Sequence, residues 1–227
     1  MMPNPSSAQA VAELLIEAGC VSCRTDEPFR LPSGWASPVY MDCRRLISFP
    51  QTRQLLLEQA LARLRAAGAL DGLAAVAGGE SSGIAFAAWM ADALNLPLQY
   101  VRKRAVGQAQ VEGVVTPGSA VLLVDDLMAA GLSKLTFCEA LRARGAEVRD
   151  VFVVFDYGTF HAAAMLHSHQ VRVHALCTWQ DVLYVARERT GFEPSALGEW
   201  SAFLRNPAAW SEAHGGIASS PVSRVFA

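Results

Sequence analysis

The stretch Val121-Leu122-Leu123-Val124-Asp125-Asp126-Leu127-Met128-Ala129-Ala130-Gly131-Leu132-Ser133-Lys134 carries the clearest strand in the chain into two adjacent acids, then into small residues and a glycine that open a helix. Backbone N–H groups in such a turn, with the helix N-terminus behind them, form a cradle for a phosphate. Asp125 and Asp126 stand beside it, where carboxylates accept hydrogen bonds from sugar hydroxyls. The plainer reading is that the two acids only cap the helix and end the strand.

The flanking sequence repeats this rhythm. Residues 73–77 form a short apolar strand, 78–83 a glycine-containing loop, 84–94 an apolar helix and 98–102 a second strand. Beyond the central stretch come a helix over 133–144 and a strand over 148–155. Strands alternating with helices through short Gly-containing turns predict a parallel α/β sheet. Ligands of such sheets lie beyond the carboxyl ends of the strands, which singles out the loops 78–83, 102–113 and 125–133.

Further out, Val11, Leu14, Leu15 and Ala18 recur at helical spacing before Gly19. Residues 28–50 are mixed, with a β-prone Val39-Tyr40-Met41, and suggest an arm beside the sheet. A helix follows over 52–68, the runs 171–176 and 179–185 extend the domain, and 195–204 is a last helix. The expected organisation is one domain over 1–216, with an arm at about 20–50, a core at about 70–185 and a mobile tail at 217–227.

Composition narrows the function classes. Of 227 residues, 52% are hydrophobic and 18% charged, which excludes a disordered chain. A net charge of −2 argues against nucleic acid or an acidic membrane surface as partner. No run approaches the ~20 apolar residues of a membrane span, and Glu13 and Glu17 give the N-terminus the look of an amphipathic helix, not a signal peptide. The five scattered cysteines suggest reduced thiols and a cytoplasmic protein. Cys20-x-x-Cys23 lacks a second pair for zinc. Only two of the 19 basic residues are lysines, Lys103 and Lys134, so chemistry that needs a lysine has two candidates.

The central stretch resembles the phosphoribosyl-diphosphate signature of type I phosphoribosyltransferases. Other segments are similar to the orotate phosphoribosyltransferases: residues 29–50, with Ser33-Gly34-Trp35-Ala36-Ser37-Pro38-Val39-Tyr40-Met41-Asp42, then Ala77-Gly78-Gly79-Glu80-Ser81-Ser82-Gly83, Tyr100-Val101-Arg102-Lys103, Phe155-Asp156-Tyr157-Gly158 and residues 175–183. The resemblance implies an α/β parallel-sheet, Rossmann-like core with an N-terminal arm or hood. It implies transfer of ribose 5-phosphate from phosphoribosyl diphosphate to orotate, with Mg²⁺ carried by the substrate and no metal held directly by the protein. By the same likeness Asp125 and Asp126 hold the ribose hydroxyls, and the turn Leu127, Met128, Ala129, Ala130, Gly131, Leu132, Ser133 holds the 5'-phosphate. Arg102 and Lys103 face the pyrophosphate with Arg104 nearby, and Val39, Tyr40, Ser81 and Ser82 line the base. The family likeness further implies a homodimer in which loop 102–113 reaches the neighbouring subunit.

Several positions depart from that pattern. Ala129 and Leu132 replace threonines of the phosphate turn, leaving Ser133 as the hydroxyl and Lys134 as an added charge. The second lysine of the catalytic loop aligns with Val106, with Arg104 as a nearby cation, and the lysine of the arm aligns with Pro32. No arginine for the orotate carboxylate stands near Asp156. Three readings therefore stay open: an active orotate phosphoribosyltransferase, a non-catalytic binding or regulatory relative, and a transferase for another base. Among smaller features, His167-x-His169 reads as a solvated turn, and Trp89 and Trp179 read as core. Glu80 either meets Mg²⁺ through water or caps the helix after it.

Overall fold

The computed structural model describes residues 7–31, 33–106 and 109–218. Pro32 and the loop tip at 107–108 lie outside these residues, as does the tail from 219 onward. The centre is a six-stranded sheet built from β5 (Leu73–Gly79), β6 (Leu98–Val106), β7 (Ala109–Glu112), β8 (Ala120–Met128), β9 (Glu147–Asp156) and β10 (Arg172–Thr178), in the order β10-β9-β8-β5-β6-β7. All neighbours pair in parallel except β7, which returns antiparallel along β6. The parallel crossovers run through α3 (Ser82–Leu94), α4 (Leu132–Ala143) and α5 (Ala162–Ser168). Side chains of a strand alternate between faces. Val121 and Leu123 accordingly pack with Phe137 and Leu141 of α4. Leu122 and Val124 join the larger core on the opposite face, with Phe152 and Val154. Each such Leu or Val contributes about 1.5–3 kcal/mol by leaving water.

That larger core is closed by α1 (Ser7–Glu17), α2 (Pro50–Ala66), α6 (Trp179–Glu188) and α7 (Pro194–Arg205). Trp179 is fully buried and meets Phe155, Tyr157 and Trp200 edge to face. Trp89 is half-buried, with the Arg53 guanidinium over its ring.

The arm is two small antiparallel ladders followed by a 3-10 helix at Cys43–Ser48. Strand β1 (Val21–Cys23) pairs with β4 (Val39–Met41), and β2 (Phe29–Arg30) pairs with β3 (Ala36–Ser37). The Met41 N–H donates to the Tyr157 hydroxyl at 3.3 Å, which ties the arm to the end of β9.

Four expectations change. Strand β8 continues through both acids to Met128, because Leu127 and Met128 pair with Phe155 and Asp156. The expected loop 102–113 is largely a hairpin, since Val111 and Glu112 pair back onto Val101 and Tyr100. A further helix, α8 (Pro207–Ala213), follows α7. Ile217 is not free: its N–H donates to Gly34 O at 3.1 Å, and its carbonyl accepts from Ser211 Oγ at 2.7 Å. Ser211 Oγ also accepts the Ala36 N–H at 2.9 Å, so this segment clamps the arm. Among the described residues no helix is long and apolar enough to cross a membrane.

Candidate active site at the carboxyl end of the sheet

Because β8 runs on through Asp125 and Asp126, the two acids point to opposite sides of the sheet. Asp125 turns toward α4, where its Oδ2 pairs with Lys134 Nζ at 2.5 Å, both side chains being under a tenth exposed. Its Oδ1 accepts the N–H of Asp126 at 2.9 Å. Asp126 turns to the other side, where Ser82 of α3 hydrogen-bonds it and Cys43, Arg44 and Tyr157 feel its charge, while its Oδ1 accepts the Leu127 N–H at 2.8 Å. Its carboxyl is pushed up to about 6, chiefly by burial and then by the charge of Asp125, against the opposing pull of Lys134 and Ser82. The two acids expected beside the sugar thus lie on opposite sides of one strand, and Lys134 is a buried partner of Asp125. Gly83 permits this close packing: a Cβ there would lie 2.7 Å from Asp125 Oδ1.

The phosphate turn is shorter than the sequence suggested. Leu127 and Met128 are strand residues, and Met128 is buried, so the turn proper is Ala129, Ala130 and Gly131. Gly131 takes φ 79 and caps α4 with no side-chain hydrogen bond. The first intrahelical bond is Leu135 N–H to Gly131 O at 3.0 Å, so the amides of Leu132, Ser133 and Lys134 have no partner within the helix. The partial positive charge of the helix end adds to those free donors. Ser133 is exposed and Leu132 half-buried at this opening.

Between β5 and α3, Ser81 is exposed and Ser82 stands beside Asp126. Glu80 does not cap α3, whose cap residue is Ser81; its Oε2 accepts the backbone N–H of Lys103 at 2.7 Å. Next to it on β6, Arg102 is held within the hairpin. Its Nε lies 3.0 Å from Glu112 Oε1 and its Nη2 donates to the Tyr100 hydroxyl at 3.0 Å, which locks the β6–β7 hairpin. Lys103 and Arg104 are exposed. The side chain of Val106 lies outside the described residues.

On the arm, Tyr40 is half-buried and stacks obliquely on Phe29 at 5.5 Å, whereas Val39 is fully buried. The backbone N–H and carbonyl of Val39 are both engaged by the Ser37 hydroxyl. The sequence reading passed over Arg44. Its Nε pairs with Asp42 Oδ1 at 2.9 Å and its Nη2 donates to the Tyr40 hydroxyl at 3.2 Å, leaving an exposed guanidinium on the arm. The Arg44-Arg45 pair was the available signal, since one arginine turns out while Arg45 turns in to Ala18 O at 3.1 Å. Asp156 accepts the Gly158 N–H at 3.0 Å, and burial raises its pKa. Among the described residues no three His, Cys, Asp or Glu side chains gather to hold a metal, His167, His169, Cys20 and Cys23 included.

Comparison with known proteins bears directly on this arrangement. Residues 58–169 match the phosphoribosyl transferase domain. Over 216 residues, the chain is 44% identical to an orotate phosphoribosyltransferase of Cereibacter sphaeroides, covering 93% of each protein. The chain belongs to the orotate phosphoribosyltransferase family. Solved structures agree. The orotate phosphoribosyltransferase of Aeropyrum pernix matches with a TM-score of 0.69 at 32% identity, over 78% of this chain and 99% of that one. The UMP synthase of Leishmania donovani matches with a TM-score of 0.78 at 28% identity, over 88% of this chain and 42% of that one. Asp126, the Ala129–Gly131 turn and the Glu80–Ser82 loop lie at the carboxyl ends of β5 and β8. The hairpin cations Lys103 and Arg104 flank them on β6.

Proposed function

We propose that the protein transfers ribose 5-phosphate from phosphoribosyl diphosphate to orotate, giving orotidine 5'-monophosphate and pyrophosphate. The observation that carries this reading is the uncapped N-terminus of α4 behind Gly131, set next to Asp126. Free amides for a phosphate and a carboxylate for vicinal hydroxyls are what a ribose 5-phosphate requires. Identity of 44% across nearly the whole chain to an orotate phosphoribosyltransferase favours this activity over a binding-only relative or another base.

In this reading the amides of Leu132, Ser133 and Lys134, with the Ala129–Gly131 turn, hold the 5'-phosphate. Asp126 accepts from the ribose hydroxyls. Departure of pyrophosphate leaves positive charge at the anomeric carbon and gathers negative charge on the leaving group. Lys103 and Arg104 stabilise the latter, and fixed charges aimed at developing charge are worth most in a water-poor site. Arg102 supports them by bracing the hairpin. Mg²⁺ enters as part of the diphosphate substrate: Asp125 is already neutralised by Lys134, so the residues present suit an ion coordinated by diphosphate oxygens. The base lies between Tyr40 and Ser81–Ser82, and Arg44 beside Tyr40 takes the orotate carboxylate in place of the arginine missing near Asp156.

A homodimer in which the β6–β7 hairpin reaches the neighbouring subunit, working in the cytoplasm, completes the proposal. Incubation with phosphoribosyl diphosphate, Mg²⁺ and a panel of orotate, uracil and hypoxanthine tests it. Product from orotate alone is expected, and product from one of the others instead would overturn the base assignment.

A further inference from the structure

The buried ion pair behind the site has no part in the transfer as described. Lys134 Nζ and Asp125 Oδ2 lie 2.5 Å apart on the α4 side of the sheet, and Asp125 Oδ1 accepts the amide of Asp126, the next residue. Lys134 is also the third residue of α4, one turn from Gly131. A single contact therefore joins the strand that carries the sugar-facing acid to the helix that carries the phosphate amides.

We propose that Lys134 is a positioning residue: it neutralises Asp125 on the far face of β8, so that the adjacent Asp126 keeps its charge beside the sugar.

Three observations support this inference, which rests on the transfer reading above. The alternation of β8 separates the two acids between Lys134 on one side and Ser82 on the other. Gly79 and Gly83 make room for the Asp125 carboxylate beside Lys134, since a Cβ at either would lie 3.1 Å from its Oδ2 or 2.7 Å from its Oδ1. The groups facing Asp126 are Asp125 on its own strand, Lys134 from α4, Ser82 from α3, Cys43 and Arg44 from the 3-10 helix, and Tyr157 after β9. Of these the only buried cation is Lys134. Without it two adjacent carboxylates would share one buried site, and like charges in that position drive one acid to hold its proton.

The test is the pH dependence of phosphoribosyl-diphosphate binding, measured by calorimetry with Mg²⁺, for the wild type, Lys134→Met and the double variant Asp125→Asn/Lys134→Met. Wild-type affinity should weaken as pH falls through about 6, where Asp126 takes up a proton. In Lys134→Met that transition should move up by roughly one unit or more. The double variant, which removes both charges, should return it to the wild-type position or below. An unmoved transition in a folded Lys134→Met protein overturns the proposal. So does a double variant whose transition stays above that of wild type, because the charge of Asp125 would then not be what raises it. If the single variant does not fold, the double variant carries the test alone.

A wild-type protein that binds no phosphoribosyl diphosphate sinks the transfer reading and leaves the counter-charge to thermal melts. Lys134→Met should then melt further below wild type at pH 8 than at pH 5, and the double variant should not. Equal deficits at both pH values contradict the role of Lys134.

Discussion

The backbone N–H of Lys103 donates to Glu80 Oε2 over 2.7 Å, joining the ends of β5 and β6. The glycine loop and the exposed cations of the hairpin are thus held at a fixed separation by one side chain. A carboxylate acceptor makes this a charge-assisted bond. Glu80→Gln keeps an acceptor and should leave the kinetics within about threefold of wild type, whereas Glu80→Ala should raise KM for phosphoribosyl diphosphate about tenfold. Steady-state kinetics decide it, and an unchanged KM in the alanine variant would detach Glu80 from the site.

The hairpin cations separate into two roles. Lys103 is exposed, and the proposed reading sets it on the pyrophosphate, so Lys103→Ala should lower kcat by about a hundredfold or more, as loss of one preorganised donor does elsewhere. Arg102 is spent on Glu112 and Tyr100, so Arg102→Ala should act by loosening the hairpin. Its effect should fall on KM more than on kcat. A kcat loss in Arg102→Ala equal to that of Lys103→Ala would place Arg102 on the pyrophosphate after all.

Asp126 gives the site a pH signature. Its carboxyl is raised from the ordinary 3.8 to about 6 by burial and by Asp125, so the folded state prefers it protonated. The stability this lends is full below the unfolded value and lost as pH rises through the folded one. Asp126→Asn mimics the protonated form. It should match wild type near pH 4 and exceed it at pH 8 by about 2–3 kcal/mol, while losing about a hundredfold in phosphoribosyl-diphosphate affinity. Thermal melts at the two pH values check the first part. A variant less stable than wild type at pH 8 would show that the charge is welcome where it sits.

Leu132 offers a gain-of-function test. It opens α4 at the phosphate turn, half-buried, where a hydroxyl would stand among free amides. A hydrogen bond to a charged group is worth about 1.5–3 kcal/mol, so Leu132→Thr should tighten phosphoribosyl-diphosphate binding by about tenfold. Weaker binding in the threonine variant would argue that the phosphate lies elsewhere.

Much of this was legible in the sequence, and the failures have physical causes. The mainly apolar runs at 73–77, 121–124 and 148–155 name three of the parallel strands, because strands buried by helices on both faces carry such runs. Adjacent Asp125 and Asp126 reveal a site but not its division, which depends on β8 continuing as a strand through Leu127 and Met128. That continuation comes from pairing with Phe155 and Asp156, a partner 28 residues away in sequence. The hairpin was hidden for the same reason: the cations at 102–104 read as loop until Val111 and Glu112 return to pair with Val101 and Tyr100. Helix α8 and the Ile217 clamp hang on Ser211, one hydroxyl whose two partners are Ala36 on the arm and Ile217 further along the chain. No local pattern announces such a contact. The arginine on the arm was overlooked because Arg44 and Arg45 look alike until one is turned inward by Ala18 O.

The most direct measurement is the fall in orotate absorbance when the purified protein is mixed with phosphoribosyl diphosphate, Mg²⁺ and orotate, with Lys103→Ala run beside it. The account predicts a steady loss of orotate that requires phosphoribosyl diphosphate and nearly vanishes in the Lys103→Ala protein. A folded wild-type protein that leaves orotate untouched, or a Lys103→Ala variant as fast as wild type, would contradict it.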